Sequence, residues 1–173
     1  MFPRPRRVET EQELYDSAIK TLMRRAHSVM EMKKALFRRC SDDKLIRSVV
    51  DRLKREGLID DARYARQFTR QRTESRKQGK FRIARDLRAR GVPDKHIEAA
   101  LEANASETDE TAVVRQRIER KVKLFRGEID ERKVASLYRS MLRAGFSSYV
   151  IRRELHRLTR AEVPEIEPAD EPS

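Results

Sequence analysis

The chain reads as an all-α protein, an elongated array of three tandem three-helix repeats. Three observations predict this: the positions of the prolines, the spacing of the apolar residues, and a motif that returns twice. Pro3, Pro5, Pro164, Pro168 and Pro172 lie in the two ends, leaving only Pro93 in the body. Proline disrupts helix interiors, so such a body reads as nearly continuous helix. The apolar residues recur at threes and fours, with no sustained period-two alternation.

Taken in order, Leu14, Ala18 and Leu22 mark the first helix. Ser28 and Glu31 form a capping box for a second that carries Met32 and Leu36. Asp42 caps a third with Ile46, Val49, Val50 and Leu53, and Asp60 a fourth with Tyr64 and Phe68. Ile83 and Leu87 form the fifth stripe, and Asp94 caps a sixth helix with Ile97. Val114, Ile118, Val122 and Phe125 make the seventh, and Val134, Leu137, Tyr138 and Met141 the eighth. Ser147 caps a ninth, with Ile151, Leu155 and Leu158. Gly57, Gly79, Gly91, Gly127 and Gly145 read as helix stops.

The third observation is internal repetition. LFRRC-SDDKLIRSVV from Leu36, LRARG-VPDKHIEAAL from Leu87 and MLRAG-FSSYVIRREL from Met141 align at offsets of 51 and 54 residues. Cys40, Gly91 and Gly145 share one position, so Cys40 reads as a stand-in for a helix-end glycine; Ile46, Ile97 and Ile151 share another. The expected organisation is a basic disordered N-terminus over 1–11, repeats over 12–57, 58–105 and 106–160, and an acidic disordered tail over 161–173. The short helices of each unit resemble a helix-turn-helix core, a likeness that does not by itself establish function.

Composition bounds the activity. Only 38% of residues are hydrophobic and 40% are charged, which suits small modest cores in series better than one large core. The net charge is +12, and it becomes +17 without the five acids of 161–173, which contain no base. Such an excess attracts polyanions, nucleic acid first among them. The lone Cys40 excludes an internal disulfide and fits a reducing compartment. No apolar run approaches the roughly 18 residues of a membrane span, and Met1–Arg7 leads into no apolar segment, so cytoplasm is expected.

No constellation for catalysis emerges, and neither catalytic residues, a metal nor a cofactor is expected. The glycines are scattered and form no phosphate loop. His27, His96 and His156 belong to different repeats and have no cysteine at ligand spacing. Asp60–Asp61 stand at a helix start, where capping and the helix dipole account for them.

Four strings resemble the RecX family, regulators of the bacterial RecA recombinase. They are HSVMEMKKAL (27–36), VVDRLKREGLIDDARYARQF (49–68, the most specific), GKFRIARDLRARGV (79–92) and MLRAGFSSYVIRREL (141–155). The likeness runs in order over about residues 14–158. Two departures are Cys40-Ser41, where the family commonly has Gly and an aromatic, and Lys80, where it often has Pro. The resemblance implies three tandem three-helix repeats lying in the groove of the RecA filament on single-stranded DNA. It also implies modulation, usually inhibition, of ATP hydrolysis and strand exchange.

Basic residues that face away from the apolar stripes are the expected contact surface for DNA or filament: Lys34, Arg38, Arg70, Arg76, Lys77, Arg82, Arg85, Arg88, Arg120, Lys123, Arg152 and Arg153. The densest stretch, Arg70 to Arg90, is offset only by Glu74 and Asp86. Tyr64, Phe68, Phe125, Tyr138 and Phe146 fall on apolar stripes and read as core, whereas Phe37 and Phe81 are candidates for contact. The expected partners are the RecA filament and single-stranded DNA, with duplex DNA a further candidate. The chain is expected to be a monomer that meets no membrane. The alternative is a helix-turn-helix DNA-binding protein acting directly on nucleic acid. Asp43–Lys54 and Asp94–Ala103 contain neither Asn nor Gln, which disfavours base-edge reading.

Overall fold

The computed structural model describes residues 10–125 and 127–159; the expected tail over 161–173 and most of the basic N-terminus lie outside them. Nine helices occupy the described residues: α1 Glu11–Leu22, α2 Val29–Phe37, α3 Asp43–Arg55, α4 Asp61–Arg76, α5 Lys80–Arg88, α6 Asp94–Glu107, α7 Glu110–Val122, α8 Glu131–Arg143 and α9 Ser148–Thr159. No strand occurs among these residues.

Local chemistry sets most boundaries. The Ser28–Glu31 capping box is complete: Glu31 N donates to Ser28 Oγ (3.1 Å) and Ser28 N to Glu31 Oε2 (3.2 Å). Asp42 accepts from Lys44 N and Leu45 N, and Asp60 from Arg63 N. Thr10, Asp109 and Asp130 cap α1, α7 and α8 in the same way. Asp94 departs from its expected role. It is the first residue of α6, and the carbonyl of Pro93 accepts from Ile97 N (3.3 Å). Its carboxylate instead receives Arg88 Nε at 2.7 Å.

Two of the expected helix stops are corrected. Gly79 does not end α4; the left-handed residue there is Lys77 (φ 50°), and Gly79 stands at the start of α5. Cys40 does not imitate Gly91 and Gly145, which have φ of 71° and 89° while Cys40 is not left-handed. Its side chain is buried in a core, and Sγ accepts from Asp42 N (3.4 Å). The thiol therefore fills space that a glycine would leave open.

The chain forms two compact units, one of residues up to 68 with 86–100, the other of 69–85 with 101 onward. The division cuts α4, α5 and α6. In the first unit, Leu14, Met32, Leu36, Ile46, Val49 and Leu53 knit α1, α2 and α3 together. In the second, Val114, Ile118, Leu137, Tyr138, Met141, Ile151 and Leu155 do the same for α7, α8 and α9. Each large aliphatic side chain so buried contributes about 1.5–3 kcal/mol, the main favourable term in chains this polar.

One backbone device occurs in both units. In the first, Ser28 Oγ at the start of α2 donates to Arg90 O (2.6 Å), and a Cβ on Gly91 would lie 2.5 Å from Met30 Cβ. In the second, Gly79 N and Phe81 N at the start of α5 donate to Ala144 O (2.8 Å) and Gly145 O (3.1 Å). A Cβ on Gly79 would lie 2.1 Å from Gly145 O, and one on Gly145 2.4 Å from Arg82 Cβ. Each joint brings the C-terminal turn of one repeat's second helix onto the N-terminus of the preceding repeat's. Carbonyls and amides that helix ends leave unpaired thus satisfy one another.

Candidate nucleic-acid interface

The first joint is neutralised. Glu31 lies between Arg25 (2.9 Å), Arg90 (3.8 Å) and the Tyr64 hydroxyl (3.3 Å). Burial pushes the Glu31 carboxyl up, but the Arg25 guanidinium, the Ser28 amide and the positive charge of Arg90 outweigh it and hold the group below its ordinary value. Arg90 also lies over the Phe68 ring at 4.9 Å. The adjoining carboxylates are occupied as well: Asp60 serves as a cap, and Asp61 Oδ1 accepts from Val29 N (2.9 Å). His27 Nδ1 lies 2.9 Å from Arg25 O, a local contact.

The second joint is not neutralised. Arg82, at the position equivalent to Glu31, is half-buried; its Nη1 donates to Arg143 O (3.3 Å) while its Nε is buried without a hydrogen-bond partner. Arg117, also half-buried, donates from Nη1 to Lys77 O (2.7 Å) and Arg76 O (3.3 Å), and its guanidinium lies 5.7 Å from the centre of the Phe146 ring. Burial, followed by the positive charges of Arg120 and Arg82, holds Arg117 below the usual guanidinium value. A guanidinium stays protonated, so the shift reflects an unfavourable field rather than a lost charge.

Among the sequence-predicted residues of the first unit, Lys34 and Arg38 are exposed on α2 and its C-cap, and Arg88 is exposed but paired with Asp94. In the second unit Arg70 is exposed and paired with Glu74 at 2.9 Å. Arg76, Lys77, Arg85, Arg120 and Lys123 are exposed, and none has a salt-bridge partner among the described residues. Arg82 and Arg152 were expected on the solvent side but are half-buried, Arg152 stacking over Tyr138 at 5.9 Å. Arg153 is exposed and donates to Thr111 Oγ1 (2.9 Å), and it also lies 3.6 Å from Glu154.

The backbone carbonyls of Arg76 and Lys77 and the charges of Arg82 and Arg120 thus meet at Arg117, which sequence reasoning missed. A signal existed: Arg117 is three residues before Arg120, and the positions three and four away on α7 hold no acid. The most buried acid among the described residues of the second unit is engaged elsewhere. Glu154, 2% exposed, holds Arg115 (2.8 Å), Arg153 and Arg157, and the Arg115 hydrogen bond above all keeps its carboxyl below the ordinary value. Phe37 and Phe81 are exposed, whereas Tyr64, Phe68, Tyr138 and Phe146 are buried.

Among the described residues, no group of three His, Cys, Asp or Glu is placed to hold a metal, and no helix is long and apolar enough to cross a membrane.

Known proteins resemble the chain along most of its length. The family model described as RecX, second three-helix domain, matches residues 60–101. The regulatory protein RecX of Prosthecochloris aestuarii is 33% identical over 134 residues, spanning 78% of this chain and 85% of that protein. RecX of Thermobifida fusca is 30% identical, spanning 86% of this chain and 80% of that one. RecX of Halorhodospira halophila is 44% identical over 87 residues, about half of each chain (50% and 53%). The crystal structure of RecX from Lactobacillus salivarius superposes with a TM-score of 0.77 at 20% identity, covering 87% of this chain and 97% of that one, a likeness of fold. With its helices, its repeat and this extent of identity, the chain belongs to the RecX family of regulatory proteins.

Proposed function

We propose that this chain regulates the RecA recombinase by lying in the groove of the RecA–single-stranded DNA filament and inhibiting ATP hydrolysis and strand exchange. Membership of the RecX family is the observation that carries this reading. The exposed cations of both units support it, because a surface that follows a polyanionic fibre needs bases unclaimed by the chain's own acids. Such contacts are individually weak and screened, so many must act together. Their effect is to hinder the movement between protomers that hydrolysis requires.

The test is RecA ATPase activity on single-stranded DNA with and without this protein. Inhibition that falls steeply with salt supports the reading, and unchanged hydrolysis at saturating protein overturns it. Charge reversal should target exposed positions, Arg85→Glu with Lys34→Glu. Arg82 would confuse the result, since it also bonds the backbone of Arg143.

A further inference from the structure

The second joint presents an electrostatic problem that the described part of the chain does not solve. Arg82 and Arg117 both border the turn from Arg143 to Phe146, one against Gly145 and the other over Phe146. Arg120 lies one helical turn beyond Arg117, and its charge and that of Arg82 both act unfavourably on Arg117. Glu119, a near neighbour in the chain, acts instead on Arg115. Half-buried like charges without a counter-charge destabilise a fold, and an unpartnered Nε adds to the cost. An oxyanion on their exposed side would relieve the repulsion, because guanidinium forks bind such groups bidentately; the buried Nε of Arg82 lies beyond its reach.

The surroundings distinguish one kind of oxyanion. Phe81, the residue before Arg82 on α5, is 41% exposed, and Lys80 Nζ lies 5.2 Å from the centre of its ring. An exposed ring beside a basic cluster suits an unpaired base attached to a bound phosphate, because every base has a face that stacks on an aromatic ring. We propose that Arg82, Arg117 and Arg120 form a seat for one phosphodiester of single-stranded nucleic acid, with an adjoining base laid on Phe81. This rests on the reading above only in taking nucleic acid as ligand, and its test contains no recombinase.

The probe is a fluorescent oligothymidylate of about twelve nucleotides, a length within the usual reach of a small single-strand site. Its binding to the full chain is followed by anisotropy across a salt series. Arg120 is exposed and makes no bond in the joint, so Arg120→Gln should fold normally. It should weaken binding about tenfold. The slope of log K against log salt should become shallower by about 0.7, the value for one lost single-strand phosphate contact. Arg139→Gln removes the same charge elsewhere on the second unit and should leave the slope unchanged. Phe81→Leu should weaken the oligothymidylate but not an abasic strand of equal length. The proposal is overturned if Arg120→Gln behaves like Arg139→Gln, or if polyglutamate displaces the strand and itself requires Arg120. A failed ATPase test leaves this binding untouched, and failure of this binding leaves the ATPase test to stand on its own.

Discussion

The two joints use one backbone solution and opposite electrostatics. At α2 the third helical position is Glu31, which completes a capping box, meets the positive end of the helix dipole and takes up Arg25 and Arg90. At α5 the corresponding residue is Arg82, a cation at a helix N-terminus whose charge acts unfavourably on Arg117. The first arrangement is what stability alone would favour. The second sacrifices local stability, and a local rule broken without internal compensation is the mark of a functional or strained site.

The largest expected effect comes from breaking the shared device. Gly79→Ala places a Cβ 2.1 Å from Gly145 O and should destabilise the second unit by about 3 kcal/mol or more, seen as lost amide protection in α5 and α8. Gly57→Ala meets open space and should cost only about 1 kcal/mol for its left-handed φ. Equal effects of the two substitutions would show that the close approach at the second joint is not structural.

Next comes removal of the first joint's acid. Glu31→Gln leaves Arg25 and Arg90 without a carboxylate and should cost about 1–3 kcal/mol in thermal or denaturant unfolding. The opposite sign is expected when the second joint is made to resemble the first. Arg82→Glu supplies an acid at the α5 N-terminus and a partner for Arg117, and should stabilise the chain by about 0.5–1 kcal/mol while weakening oligonucleotide binding. A variant that is both less stable and a weaker binder would assign Arg82 a packing role alone.

The smallest effect is that of pH. Glu31 and Glu154 are held below their ordinary values when folded. Their contribution is therefore present above the unfolded carboxylate pKa, about 4.3, and is lost as pH falls through the lower folded values. Acid unfolding midpoints should shift towards neutral pH in Glu154→Gln relative to Arg139→Gln. At the second joint no carboxylate is bonded to Arg82 or Arg117, although Glu110 lines the cavity that Gly79, Lys80 and Phe146 share.

Helices, most caps and the repeat were legible because each depends on neighbours within about four residues. Thr10, Asp109 and Asp130 obey the same rule as Asp42 and could have been read in advance. The misreadings share a cause. Gly79 looked like a stop because glycine commonly ends helices, yet here it is the approach of Gly145 that requires it. Cys40 matched glycine by position in the repeat, but core packing gave it a different backbone. Arg82 and Arg152 appeared to face solvent on an isolated helix, and a neighbouring helix covers part of each.

Local sequence by itself determined that the chain is helical, where most helices begin, that three similar units follow one another, and that cations exceed acids. These follow from hydrogen bonding and side-chain periodicity within single helices. Tertiary structure alone decided which cations lost their freedom and which were left without a counter-charge. Arg25 and Arg90 converge on Glu31, while Arg82 and Arg120 act on Arg117, across as many as 65 residues between Arg25 and Arg90. The physical reason is that electrostatic energy depends on distances in space, and those are set only when helices from different repeats pack.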